Sequence, residues 1–238
     1  MGRAFEYRKA RKMKRWASMA KAFTKIGREI AIAVKEGGGD PDYNPRLRLA
    51  INNAKAANMP KANVDSAIKR AMSKDAANYD EVVYEGYGPK GVAVMVETAT
   101  DNTNRTVASM RLIFSKGGGN LGNSGEVDYM FTRKGQFKVS AEDRDMEELE
   151  LELIDHGLED LQQDENELIL TTAFEDFGAM QKALEDLEIE VTNAELVRIP
   201  SHTKKLDDDG EEAMIKLIDK LEEDDDVVNV FHNMDMNE

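Results

Sequence analysis

The sequence predicts an α+β protein with an N-terminal three-helix-type domain followed by two ferredoxin-like α/β domains, the third inserted into the second. Three observations predict it. The first eighty residues carry only helical apolar periodicity, strand-like runs alternate with helical stretches beyond them, and the chain closes on one helix and one strand with no partner nearby in sequence. The expected domains are residues 1–79, a middle domain of 80–133 plus 205–238, and an acidic inserted domain of 134–204.

In the first domain, Phe23, Ile26, Ile30 and Val34 recur at steps of three and four, which places them on one helical face. Gly37-Gly38-Gly39 stops that helix. Pro45 suits the opening turn of a second helix with Leu47, Ile51 and Ala54 facing inward, and Pro60 that of a third carrying Val64, Ile68 and Met72.

After residue 80 the pattern changes. Residues 82–84 and 92–96 read as strands joined through Gly86-Tyr87-Gly88-Pro89-Lys90-Gly91, which is turn chemistry. Asp101 or Asn102 can cap a helix containing Val107, Met110 and Phe114, which Gly117-Gly118-Gly119 ends, and residues 127–131 read as the next strand. A complete β-α-β-β-α-β unit follows, with strands at 136–139, 158–161, 168–172 and 191–199 and helices at 146–154 and 177–187. In the tail, Asp207-Asp208-Asp209 can cap a helix through Met214, Ile215, Ile218 and Leu221, and 227–231 is a last strand. An isolated helix and strand cannot bury their apolar faces, and the middle β-α-β lacks such a pair, so the tail is expected to return and complete it.

Charge is unevenly spread. The chain carries −15 in all, but residues 1–80 hold 18 Lys and Arg against 8 Asp and Glu, a net of +10. Residues 81–140 are near neutral at +1, and residues 141–238 carry −26. A basic head on an acidic body points to a polyanion at one end, with the body repelling the same polyanion and so restricting how it docks. Within the head, Arg8, Lys9, Arg11, Lys12, Lys14 and Arg15 fall within eight residues, and Lys21, Lys25 and Arg28 follow at helical steps. With Arg46, Arg48 and Lys55 they form the expected nucleic-acid-binding set, and Lys61, Lys69 and Arg70 add to the charge of the domain. Phe5, Tyr7 and Trp16 are interleaved with the first cations, where they can stack on unpaired bases or pack on the bundle.

Other chemistry finds little support. There is no cysteine for disulfides, thiolate metal sites or nucleophiles, and His156, His202 and His232 stand apart. The two G-x-G-x-x-G matches, at Gly86, Gly88, Gly91 and at Gly117, Gly119, Gly122, lack the strand–glycine–helix order that a dinucleotide site needs, so tight turns are expected there. The acidic runs at 207–209 and 224–226 lack calcium-loop spacing, which leaves helix capping for the first. The expectation is therefore no catalytic residues, no cofactor, no metal and no small-molecule substrate. With no secretory pattern and no apolar run long enough to span a bilayer, a cytoplasmic protein without a membrane partner is expected.

Several segments resemble the YebC family. Phe23-Thr24-Lys25-Ile26 with Arg28-Glu29-Ile30, Gly37-Gly38-Gly39-Asp40-Pro41 and Asn44-Pro45-Arg46-Leu47-Arg48 look like its N-terminal domain. Tyr84-Glu85-Gly86-Tyr87-Gly88-Pro89, Asp101-Asn102 with Asn104-Arg105-Thr106, and Gly118-Gly119-Asn120-Leu121-Gly122 look like its middle domain, and Asp225-Asp226-Val227 with His232-Asn233 like its last strand. The start departs from the family's common Gly-His-Ser-Lys-Trp-like opening, reading Gly2-Arg3-Ala4-Phe5-Glu6-Tyr7 with Trp16 further on. The resemblance implies three domains, no known enzyme activity and a DNA-binding probable transcriptional regulator. It also implies an alternative, since mitochondrial relatives are described as translational activators and some bacterial members as ribosome-associated factors that relieve stalling at proline-rich stretches. In that case the partner is rRNA and the ribosome.

Overall fold

A computed structural model describes residues 19–74, 76–141, 145–164 and 166–236. The chain forms two compact units divided between Tyr79 and Asp80.

The first unit is helical. Helix α1 (Met19–Gly37) buries Ile26, Ile30, Ala33 and Val34 against Leu47, Ala50 and Ala54 of α2 (Pro45–Ala56) and Val64, Ala67 and Ala71 of α3 (Lys61–Ala71). Its end is built by two residues of the turn. Gly38 takes a positive φ of 86°, a conformation cheap only for glycine, while the Asn44 amide donates to the carbonyls of Ala33 and Gly38 at 2.7 and 2.8 Å. The Asn44 carbonyl oxygen accepts from the Leu47 N–H at 3.0 Å, so this one buried side chain closes α1 and opens α2. A Cβ on Gly37 would lie 2.7 Å from Asn44, which explains a glycine there. Pro60 precedes α3, as expected, without a side-chain capping bond, and Met72 keeps helical geometry with its N–H on the Ile68 carbonyl but is 65% exposed, because it lies with Val64 and Ile68 along an open groove rather than in the core.

The second unit holds two four-stranded antiparallel sheets. The first has the order β3-β1-β2-β8, from β1 (Asp80–Tyr87), β2 (Ala93–Thr100), β3 (Asn120–Leu121) and β8 (Val227–His232). The second has the order β5-β6-β4-β7, from β4 (Phe131–Ser140), β5 (Leu158–Asp164), β6 (Glu167–Ala173) and β7 (Val191–Pro200). All strands of the second sheet lie in sequence between β3 and β8, so the final strand does return to the middle sheet and the third domain is inserted into the second.

The two sheets share a spatial plan but not a chain path. The second, with α5 (Met146–Leu153) and α6 (Phe177–Asp186), follows the ferredoxin-like split β-α-β order. In the first, β1 and β2 form a central hairpin, α4 (Thr103–Lys116) leads to one edge, and α7 (Asp208–Glu222) with β8 supplies the other edge from the far end of the chain. Residues Val94 and Val96 of β2 pack beneath Met110, Phe114, Met214, Leu217 and Leu221 of the two helices. Ala93 and Met95 face the opposite side and meet Val127 and Phe131. A strand buried on both faces reads as a continuous apolar run, as 92–96 does.

One expected strand is displaced. Residues 127–131 do not form a strand of the middle sheet. Asp128–Met130 is a short 3₁₀ turn, and Phe131 begins β4 of the inserted sheet. The edge place in the middle sheet goes to the two-residue β3, pairing Gly86 with Leu121 and Tyr87 with Asn120. The turn is imposed by Glu85, whose carboxylate accepts N–H bonds from Gly125, Val127 and Asp128 at 2.7, 2.8 and 2.9 Å and pulls the segment off the ladder. The 133/134 position, where the sequence suggested a domain boundary, falls inside β4.

Candidate nucleic-acid interface

The expected interface is the head, and its described part can be built from α1 outward. Lys21, Lys25 and Arg28 lie at steps of four and three, so they form one stripe on α1, on the side opposite the buried Ile26, Ile30, Ala33 and Val34. All three are half-buried, and the Arg28 guanidinium sits 5.5 Å from the centre of the Tyr79 ring, a cation–π contact that limits its freedom. Arg46 is exposed and paired with Glu36 at 2.7 Å. Arg48 is half-buried and donates to the Pro41 carbonyl at 3.4 Å, which ties it to the turn before α2. Lys55 is exposed near the end of α2, where Lys61 and Lys69 of α3 line the same groove. Arg8, Lys9, Arg11, Lys12, Lys14 and Arg15 lie outside the described residues, as do Phe5, Tyr7 and Trp16.

The structure thus brings Lys21, Lys25 and Arg28 together on one helix and Lys55 together with Lys61 and Lys69 across two, while Arg46 and Arg48 are engaged in local contacts. The convergence of Lys55, Lys61 and Lys69 was not visible in their spacing, since it depends on how α2 packs against α3. The only trace in sequence is the shared apolar face of those helices.

In the second unit, the motif residues are consumed by architecture. Asn102 caps α4, its side chain accepting from the Arg105 N–H at 3.1 Å. Arg105 reaches across to Asp226, with Nη2 at 2.9 and 2.8 Å from the two carboxylate oxygens, and also pairs with Asp101 at 2.8 Å. Thr106 and Thr100 donate to the same carboxylate at 2.8 and 3.1 Å. Asp226 is only 4% exposed, and burial would push its carboxyl up, but the hydrogen bonds from Arg105, Thr106 and Thr100 outweigh that and hold it below the ordinary value. Glu85 follows the same logic. Burial opposes its charge, and the three backbone N–H bonds with the nearby Arg198 more than compensate, so its pKa is lowered.

The glycines serve close approach. A Cβ on Gly119 would collide with the Tyr87 carbonyl oxygen, one on Gly86 would lie 2.5 Å from the Asn120 carbonyl oxygen, and one on Gly88 would lie 2.6 Å from Met214 Sδ. Lys90 and Gly91 both take positive φ in a tight turn and Gly118 does so after α4, so both glycine-rich runs are turns. The amides near the second run are spent internally, Gly119 N–H on Phe114 and Gly122 N–H on Glu85 carbonyl oxygens. Asp207 caps α7, accepting from the Gly210 N–H at 3.0 Å. Among the described residues, no three His, Asp or Glu side chains are grouped as a metal ion would need, and no helix is long and apolar enough to cross a membrane.

Known proteins agree with this architecture. The profile of the TACO1/YebC protein N-terminal domain matches residues 3–74, and that of the TACO1/YebC second and third domain matches residues 79–234. A probable transcriptional regulatory protein of Porphyromonas gingivalis is 57% identical, covering 98% of this chain and 97% of its own length. Proteins described in the same words from Flavobacterium johnsoniae and Anaeromyxobacter dehalogenans are 53% and 50% identical, each over 98% of this chain. The crystal structure of a conserved hypothetical protein from Aquifex aeolicus, Aq1575, superposes with a TM-score of 0.83 at 43% identity, covering 93% of this chain and 92% of that one. The chain belongs to the TACO1/YebC family.

Proposed function

We propose that the protein is a non-enzymatic, cytoplasmic regulator of gene expression that binds DNA through its basic head. The observation that carries this reading is the net charge of +10 over residues 1–80 in a chain of −15 overall. Arg8, Lys9, Arg11, Lys12, Lys14 and Arg15 supply most of the phosphate contacts, and the Lys21, Lys25 and Arg28 stripe extends them along α1. Arg46, Arg48 and Lys55 contribute from α2. The relatives described as probable transcriptional regulatory proteins support the choice of DNA. The acidic inserted domain, the strands and helices between β3 and α7, adds a repulsive field that limits indiscriminate coating.

A second reading is a ribosome-associated translation factor seated on rRNA. The interleaving of Phe5, Tyr7 and Trp16 with the first cations favours it, since aromatic rings stack on unpaired bases more readily than they read a duplex. Crosslinking in cells followed by identification of the attached polymer separates the two. DNA recovered from discrete loci is expected for the first reading and rRNA for the second, and recovery of neither polymer above an untagged control would overturn both.

A further inference from the structure

Between α2 and α3 the head leaves an open groove of about 750 Å³. Its floor is apolar, formed by Ile51, Met59, Val64, Ile68 and Met72. Its rim carries Lys55, Lys61 and Lys69, with Asp65 the one carboxylate among the described residues that line it. Met72 can take its place in the floor because position 39 is glycine, since a Cβ there would sit 2.5 Å from the Met72 sulfur. Two methionines give the floor an adaptable lining, and an apolar floor under a lysine rim has the chemistry to receive an amphipathic helix with acidic flanks.

The same chain presents such a helix. Helix α5 buries Leu149 and Leu153 under its own sheet and turns Leu151 outward, and Ile154, which opens the 3₁₀ turn after it, also faces outward, the two 75% and 56% exposed and three residues apart. Exposed Glu147, Glu148, Glu150, Glu152 and Asp155 surround them. The two apolar side chains within an acidic surface match an apolar groove with a lysine rim in both polarity and charge.

We propose that the groove of one chain receives α5 of a second copy, with Leu151 and Ile154 entering the floor and the glutamates meeting Lys55, Lys61 and Lys69. The contact joins two different surfaces, so two reciprocal engagements close a dimer and one-sided engagement extends a chain. Charge pairs at the rim make the association weaken as salt rises.

Sedimentation equilibrium of the whole protein from about 1 to about 500 µM, at low and at high salt, tests this. Self-association that rises with concentration and weakens with salt is expected. Leu151→Glu with Ile154→Glu, both at surface positions, is expected to weaken it about tenfold or more, and so is Lys55→Glu with Lys61→Glu and Lys69→Glu. Combining the lysine reversals with Glu147→Lys, Glu150→Lys and Glu152→Lys is expected to recover most of the loss, which general destabilisation could not do. Circular dichroism of each variant establishes that it is folded. A monomer at every concentration, association that none of the variants changes, failure of the charge swap to restore it, or crosslinking of groove to helix within one chain independent of concentration would each overturn the proposal.

Discussion

The basic head and the acidic inserted domain obey the same packing rule and reach opposite surfaces. In each, apolar side chains at helical or strand period turn inward, Ile30 and Leu47 in one and Phe137, Leu153 and Leu170 in the other. Among the described residues left outward, Lys and Arg outnumber Asp and Glu in the head, and Glu and Asp dominate in the insert. Packing leaves that sign open. A second contrast runs between the head and the middle sheet. The motif carboxylates of the middle sheet, Asp226 and Glu85, are buried and occupied with Arg105, two threonines and three backbone N–H groups, and this is charge used to fix a fold. The stripe of Lys21, Lys25 and Arg28 lies on the side of α1 away from the core, where the proposed function requires it to meet a polyanion.

That contrast can be broken most sharply at Asp226. Asp226→Ala removes the acceptor shared by Arg105, Thr100 and Thr106, and is expected to cost about 3 kcal/mol of stability in the second unit, read by urea denaturation, while nucleic-acid affinity of the folded protein stays within about twofold. Equal losses of stability and affinity would dissolve the distinction. The pH dependence has a fixed sign. Asp226 and Glu85 have folded pKa values below their ordinary ones near 3.8 and 4.5, so their stabilisation is fully present above those ordinary values and is lost as pH falls through the lower folded ones. The urea midpoint of the second unit is expected to fall as pH drops below about 4, and in the Asp226→Ala variant to fall less steeply. A smaller effect is expected from the insert. Changing Glu147, Glu148, Glu150 and Glu152 to Gln weakens its repulsion of a polyanion, and is expected to raise non-specific DNA affinity a few-fold at about 50 mM salt and hardly at all at about 500 mM. A rise of the same size at both salts would remove electrostatic repulsion as its cause.

Much of this molecule is legible in the sequence because its elements are locally consistent. The apolar spacing of Phe23 to Val34, the capping residues Asn102 and Asp207, and the glycines that end α1 and α4 each announce the element they build. The return of β8 follows from the need of a stranded helix and strand to bury their faces. The failures occur where tertiary contacts decide. Residues 127–131 have strand composition, but Glu85, some forty residues earlier in sequence, draws their N–H groups into a turn, and a two-residue strand at Asn120 and Leu121 carries no periodic signal at all. Met72 continues the apolar face of α3 by spacing, as its bond to Ile68 shows, yet stays 65% exposed because that edge of the face lines an open groove, which spacing cannot reveal. At the candidate interface, sequence located the charge of the head but could not foresee that Lys55, Lys61 and Lys69 meet over one groove, or that Arg46 and Arg48 are engaged within the head.

The central claim is that the head binds nucleic acid through phosphate contacts. It is tested most directly by measuring the affinity for duplex DNA of the whole protein and of an Arg11→Glu, Lys12→Glu, Lys14→Glu, Arg15→Glu variant across a salt series. Log affinity is expected to fall linearly with log salt, and the variant to bind about a hundredfold more weakly at low salt with a slope shallower by about 4. Equal affinity and equal slope for the two proteins would contradict it.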